Sequence, residues 1–286
     1  MIIQHNIPGI NATRNKGISE GKLKKNLEKL SSGYRINRAG DDAAGLTLSE
    51  LMRSQITGLN QAIRNVNDGI GMTETGDGVL TEVHAMLGRL KTLAVQSANG
   101  TYTTEARLNL DEERMQLLDE IDRIAENANF DDIPLFGSGE PQVPLPNMMS
   151  DPKQANIPLQ IGYTAEEKLD VHRYQMGSKE LMIGNDDMNF RTISAANEAI
   201  PKIEAAIEAV SDIRGDFGAV ESHLNHTHNN ITVTAENMAA AESRIRDTDM
   251  ASEITEFTKN NILYQSSNAM AAQANTVVQN VLSLLQ

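Results

Sequence analysis

The chain has 286 residues, a formal net charge of −14 at pH 7, no cysteine, no tryptophan and only 3% aromatic residues. That charge argues against nucleic acid as a main partner, and the missing thiols exclude a disulfide framework and thiol chemistry. So few aromatic anchors leave Ala, Leu, Ile, Val and Met to do the packing, which favours long helices on narrow apolar seams over one thick core.

The first fifteen residues, MIIQHNIPGINATRN, carry neither the basic start nor the long apolar run of a secretory signal. No stretch of about 18 apolar residues offers a membrane span, so no membrane insertion is expected. Residues 14–40 hold eight Lys or Arg against two Glu, a net +6 in an otherwise acidic sequence. Leu23, Leu27, Leu30 and Tyr34 follow the 4-3-4 spacing of a coiled-coil seam. Gly33, Gly40 and Gly45 then loosen the backbone around Arg35, Arg38, Asp41 and Asp42. This predicts a joint between two helices.

Residues 46–98 carry the longest pattern. Ile56, Leu59, Ile63, Val66, Ile70, Thr73, Asp77, Leu80, Val83, Leu87, Leu90 and Ala94 step by threes and fours. At 1.5 Å per residue the helix is roughly 60–80 Å long. Gly69, Gly71, Gly76 and Gly78 crowd its middle, each costing about 1 kcal/mol relative to Ala unless close packing offsets it. Asn99-Gly100 is a stop signal. Residues 104–129 read as a second helix, antiparallel to the first across a short turn. Six of the eight prolines fall in 130–190, where helix cannot continue. Ile157, Leu159, Ile161 and Tyr163 alternate as a strand does, with Leu169 and Val171 as the partner across a turn at 164–167. Residues 191–244 and 245–286 return to helix, the latter through Met250, Ile254, Phe257, Met270, Ala274, Val277, Val281 and Leu284. Its end, Val281 to Leu285, is apolar on several faces and calls for burial by other chains.

The predicted fold is therefore mainly α: a long antiparallel helical coiled-coil and bundle rod built from both chain ends, with a small β-hairpin region in the middle. Residues 1–44 with 245–286 form an inner terminal domain, and 45–244 an outer helical bundle that includes the hairpin and loops at about 130–190.

Motifs for chemistry are weak. Gly17-Ile18-Ser19-Glu20-Gly21 matches the G-x-S-x-G elbow but lacks the strand before it and the α/β context. His223, His226 and His228 resemble a metal tract, yet on a helix 228 points away from the other two and a further ligand is wanting. The pairs Asp41-Asp42, Asp131-Asp132 and Asp186-Asp187 read as solvated loop chemistry. No catalytic residue, cofactor or metal is expected. In Leu87 to Ser97, Arg89, Leu93 and Gln96 recur at i, i+4 and i+7, a second face that places Leu93 partly outward.

Two segments carry a family resemblance. LSSGYRINRAGDDAAGL, residues 30–46, resembles the N-terminal signature of bacterial flagellins. Segment 239–286, with AAESRIRDTDMASEITEFTKNNILYQSSNAMAAQAN and the closing QNVLSLLQ, resembles the C-terminal one. The likeness covers roughly residues 1–130 and 190–286. It implies a structural subunit that polymerises with itself into the flagellar filament for motility, exported through the flagellum without a cleavable signal and placed outside the cell. Self-assembly would run through Leu23, Leu27, Leu30, Tyr34, Met270, Val277, Val281, Leu284 and Leu285. An export chaperone and cap or junction proteins are the implied further partners. The 87–97 segment resembles the site bound by the animal Toll-like receptor that senses flagellin, with Arg89, Leu93, Gln96 and, by alignment through residues 118–123, Glu113 as contacts. Gly88 and Thr92 depart from the commoner Gln and Glu. The alternative is a hook–filament junction protein, against which the C-terminal QNVLSLLQ and the match over 30–46 speak. An enzyme domain would need more than the sixty or so Pro-rich residues of the middle.

Overall fold

A computed structural model describes residues 6–136, 156–184 and 188–283, with the side chains described as far as 277. Leu284 and Leu285 lie outside the described residues, and so does the side chain of Val281.

Helix α1 spans Ile7–Ser32. Asn6 caps it by accepting the Gly9 N–H at 2.9 Å, and Pro8 sits in the first turn, where no N–H donor is needed. Gly33 ends it at φ 76°, ψ 0°, its N–H reaching the Lys29 carbonyl at 2.8 Å. This left-handed stop suits glycine because no Cβ meets the backbone. After the joint, α2 runs from Ala43 to Ala98, 56 residues. Asp42 starts it, accepting the Gly45 N–H at 2.9 Å, so this carboxylate is a helix cap rather than solvated loop chemistry. Helix α3, Thr104–Asn127, is capped by the Thr103 hydroxyl.

The middle holds two antiparallel strand pairs. β1 (Asn129–Phe130) and β2 (Ile133–Pro134) turn on Asp131 and Asp132, both at positive φ, which short polar side chains tolerate. β3 (Ile157–Gln160) pairs with β4 (Lys168–Val171), Ile157 opposite Val171 and Leu159 opposite Leu169. This is the hairpin foreseen from the alternation. α4 spans Ile193–Arg246 and α5 Met250–Ser283. Asp249 begins α5, accepting the N–H groups of Ala251 and Ser252 at 2.9 and 3.2 Å.

The chain divides into two compact units, 1–57 with 235–286 and 58–234. The joint at 33–42, read from sequence as a domain edge, lies inside the first unit, because its backbone pairs with the segment ahead of α5. In the second unit, α2 and α4 run antiparallel, tied by Lys91–Glu204 at 2.8 Å and Arg214–Asp77 at 2.8 Å. The core joins Leu80, Val83, Leu87 and Leu90 of α2 to Leu118 and Ile121 of α3 and to Ile203, Val210, Ile213 and Phe217 of α4. Phe136, Val171, Met176, Ile183 and Phe190 of the connecting segments complete it.

Two of the crowded glycines of α2, Gly69 and Gly76, are notches. A Cβ on Gly69 would stand 2.6 Å from Leu159 of β3, and one on Gly76 would stand 3.1 Å from the Phe217 ring. A Cβ on Gly58 would meet that of Tyr163 at 2.9 Å. The hairpin is thus laid on α2, and Asn65 fixes it by donating to the Gln160 carbonyl at 3.0 Å.

Candidate functional site

Within the terminal unit, α1 and α5 pack against each other as an antiparallel pair. Asn6 Nδ2 donates to the Ala274 carbonyl at 3.2 Å, Lys16 Nζ lies 5.8 Å from the Tyr264 ring centre, and Lys29 pairs with Glu253 at 3.6 Å. Residue n of α1 therefore lies level with a residue near 280 − n of α5.

Among the buried and half-buried positions of α1, Gly9, Ala12, Lys16, Ser19, Leu23, Asn26 and Leu30 follow a 3-4 heptad seam. In α5, Glu253, Phe257, Asn260, Tyr264, Ser267, Ala271 and Ala274 follow the same spacing in reverse register. Leu23, Leu30 and Phe257 are the large aliphatic or Phe side chains on these seams. The side chains that reach full burial on them, Ser19, Asn26 and Asn260, are polar. Leu27 is a correction to the sequence reading. It stands off the seam, 51% exposed, because Asn26 takes the heptad position beside it.

Most other large aliphatic side chains of the pair point outward. Ile10 and Met270, Ile18 and Ile262, and Leu27 and Ile254 are level with one another in this register, and all are exposed. Val277 is exposed as well. Of the expected assembly residues, Leu27, Met270 and Val277 are on this outer surface, while Leu23, Leu30 and Tyr34 are half-buried within the unit. A helix pair with polar groups inside and aliphatic groups outside is poorly matched to water, and a further apolar surface is what such a face is built to meet.

The two signature segments meet beside this pair. Tyr34 forms an antiparallel bridge with Asp247, the Arg35 N–H donates to the Arg246 carbonyl at 2.6 Å, and the Thr248 N–H donates to the Gly33 carbonyl at 3.0 Å. Arg246 stacks 4.8 Å from the Tyr34 ring centre and pairs with Glu50 at 2.6 Å. Ile36 is buried beneath the joint. A Cβ on Gly45 would stand 2.8 Å from Ile36 Cδ1. Neither signature alone reveals this contact, since the pairing spans most of the sequence.

In the second unit, Arg89 and Glu113 are exposed neighbours on α2 and α3, joined at 2.7 Å. Gln96 donates to the Tyr102 hydroxyl at 2.8 Å. Leu93, expected partly outward, is fully buried in the core. It lies next to the stripe of Leu90 and Ala94, and α2 packs there on more than one side. Three of the four expected contact residues thus offer accessible polar groups, and the fourth supports the wall behind them.

A buried polar knot anchors this end of α3. Asp111, 2% exposed, accepts from Arg114 at 2.8 Å, Arg191 at 2.9 Å and the Phe190 N–H at 3.1 Å. Burial by itself pushes the Asp111 carboxyl up; the Phe190 N–H and the two guanidinium groups outweigh it and hold the carboxyl below its ordinary value. Arg107 spans from α3 to the end of α2, donating to the carbonyls of Ser97 at 3.0 Å and Asn99 at 3.1 Å.

The other motifs dissolve into structure. Ser19 of the G-x-S-x-G match lies in mid-helix on the α1 seam, with no strand ahead of it among the described residues. His223 and His226 are exposed on α4 and His228 is half-buried. Among the described residues no group of three or more His, Asp or Glu is placed to hold a metal ion, and no helix is long and apolar enough to cross a membrane. Asp186-Asp187 lies outside the described residues.

Comparison with known proteins shows the family. Residues 3–139 match the family model of the bacterial flagellin N-terminal helical region, and residues 200–285 that of the C-terminal helical region. A flagellin of Halalkalibacterium halodurans is 44% identical over 288 residues, and a flagellin of Bacillus subtilis is 42% identical over 308. A flagellar filament 30.7 kDa core protein of Treponema maltophilum is 42% identical over 297 residues. Each alignment spans 100% of both proteins. The chain belongs to the bacterial flagellins, a family of structural proteins and not of enzymes. Its role is that of a self-assembling structural subunit of the flagellar filament.

Proposed function

We propose that assembly of this protein is driven by the outer face of the α1–α5 pair. The observation that carries this is the inverted heptad: Ser19, Asn26 and Asn260 inside, and Ile10, Ile18, Leu27, Ile254, Ile262 and Met270 outside. Copies that cover these aliphatic groups on one another supply the apolar burial the pair lacks alone, at roughly 25 cal/mol per Å². Heterologous contacts of this kind do not close, and they propagate as a helical filament. The terminal pair gains order as it assembles, so helix content by circular dichroism rises on polymerisation.

The same face explains the remaining partners. An export chaperone covers the apolar side of α5 before the subunit leaves the cell. The subunit travels through the flagellum without a cleavable signal, and cap and junction proteins receive it at the extracellular tip. Arg89, Gln96 and Glu113 form the polar contact for the animal Toll-like flagellin receptor, with Leu93 acting from behind as packing.

The test is seeded polymerisation of the purified full-length protein, viewed by negative-stain electron microscopy, beside a truncated form lacking residues 245–286. Long filaments from the first and none from the second support the proposal. Filaments from the truncated form overturn the role of α5. Failure of the full-length protein on matching seeds favours a hook–filament junction protein.

A further inference from the structure

The turn that joins α2 to α3 holds the single Asn-Gly step of the sequence, Asn99-Gly100. Three features of this step bear on its chemistry. Both residues are exposed. The Gly100 N–H has no carbonyl partner among the described residues, although its neighbours do: the Asn99 N–H donates to Gln96 and the Tyr102 N–H to Asn99. The Asn99 side-chain oxygen accepts the Thr101 N–H at 3.2 Å, which orients the amide along the following backbone and draws electron density from its carbon. Elsewhere most asparagines lie within helices, where the N–H of the next residue is held by a carbonyl one turn back and cannot act.

We propose that Asn99 is a site of spontaneous covalent modification, its side-chain amide converting through a cyclic imide to aspartate and isoaspartate. The Gly100 backbone nitrogen loses its proton to hydroxide and attacks Cγ of Asn99. A bond forms between that nitrogen and Cγ, the bond from Cγ to Nδ2 breaks, and the amide nitrogen leaves as ammonia after taking up a proton from water. Water then opens the five-membered imide at either carbonyl. Opening at one returns an ordinary aspartyl link; opening at the other routes the backbone through Cβ and Cγ. No oxidant, metal or enzyme is required.

The product alters the turn in two ways. It places a carboxylate at the C-terminal end of α2, where the helix dipole disfavours negative charge. It also competes for the Arg107 guanidinium, whose N–H groups hold the carbonyls of Ser97 and Asn99. The isoaspartyl form adds a methylene to the backbone between Ser97 and Tyr102, whose hydroxyl accepts from Gln96, and turns the Asn99 carbonyl held by Arg107 into a free carboxylate. Modification therefore marks old subunits at the α2–α3 turn.

The experiment holds the full-length protein folded at mildly alkaline pH and follows it by peptide mass mapping with an isoaspartyl methyltransferase readout. The peptide containing Asn99 is expected to convert well ahead of that containing Asn225, which is exposed but helical, with isoaspartyl in excess over aspartyl. Gly100→Ala is the control. Gly100 is not left-handed and nothing lies within 4 Å of an added Cβ, so the variant keeps the turn; conversion should slow by about an order of magnitude. Asn99 remaining an amide while Asn225 converts overturns the proposal. So does a rate indifferent to Gly100→Ala, or a product that is aspartyl alone.

Discussion

Asp111 shows how one carboxylate ties a helix to a connecting segment. Its folded pKa is lowered, so its contribution is complete above the ordinary carboxylate value of about 3.9 and is lost as pH falls through the lower folded value. Asp111→Asn removes the carboxylate that pairs with the buried Arg114 at 2.8 Å. The variant should lose about 3 kcal/mol at pH 7, and its stability should fall less steeply than that of the parent below about pH 4. Urea denaturation followed by tyrosine fluorescence at the two pH values measures both. Arg89 and Leu93 form a second contrast. Leu93→Ala opens a cavity in a fully buried site and should cost about 2–5 kcal/mol. Arg89→Ala removes a half-exposed ion pair and should change stability by less than about 1 kcal/mol. If both variants weaken receptor signalling, thermal melts separate them: only the leucine variant should melt early.

At the scale of elements, the glycines of α2 divide by what faces them. Gly69→Ala drives a methyl to 2.6 Å from Leu159 and 3.3 Å from Leu224, and should destabilise by about 1–3 kcal/mol while loosening the hairpin. Gly78→Ala meets nothing within 4 Å and should stabilise by up to about 1 kcal/mol through helix propensity. Opposite signs in paired melts are the expected result; two stabilising changes would refute the notch. The sequence already hinted at this, since four glycines in a sustained apolar stripe need a reason. It also showed the five helices and the β3–β4 hairpin, because long periodic patterns and clear stops speak locally. The β1–β2 pair escaped notice, being two residues on each side and set by the left-handed Asp131 and Asp132. Leu93 is buried where its spacing suggests a partly outward position, because its face of α2 is decided by what packs there, which spacing alone does not tell. The true α1 seam was hidden by its polarity: Ser19 and Asn26 occupy positions where an apolar residue is the usual sign.

Across the whole molecule, charge is partitioned unevenly. The terminal unit, 1–57 with 235–286, has 12 Lys or Arg against 11 Asp or Glu, while 58–234 has 13 against 28. The unit with the outward aliphatic surface is almost neutral, and the other carries the acidity of the molecule. Copies gathered in a polymer bring like charges together. Raising ionic strength from 0.01 to 0.15 M shortens the screening length from about 30 to about 8 Å. The concentration needed for polymerisation should therefore fall as salt rises, measured by sedimentation of polymer from monomer; a threshold indifferent to salt would mean the acidic surfaces stay apart. The antiparallel register of α1 and α5 has a consequence for how this protein can change. Because residue n keeps company with one near 280 − n, a heptad added to one helix leaves seven residues of the seam without a mate. Insertions and deletions in α1 and α5 are thereby coupled. A length change in one of these helices is tolerated when the other answers it, although the two lie far apart in the sequence.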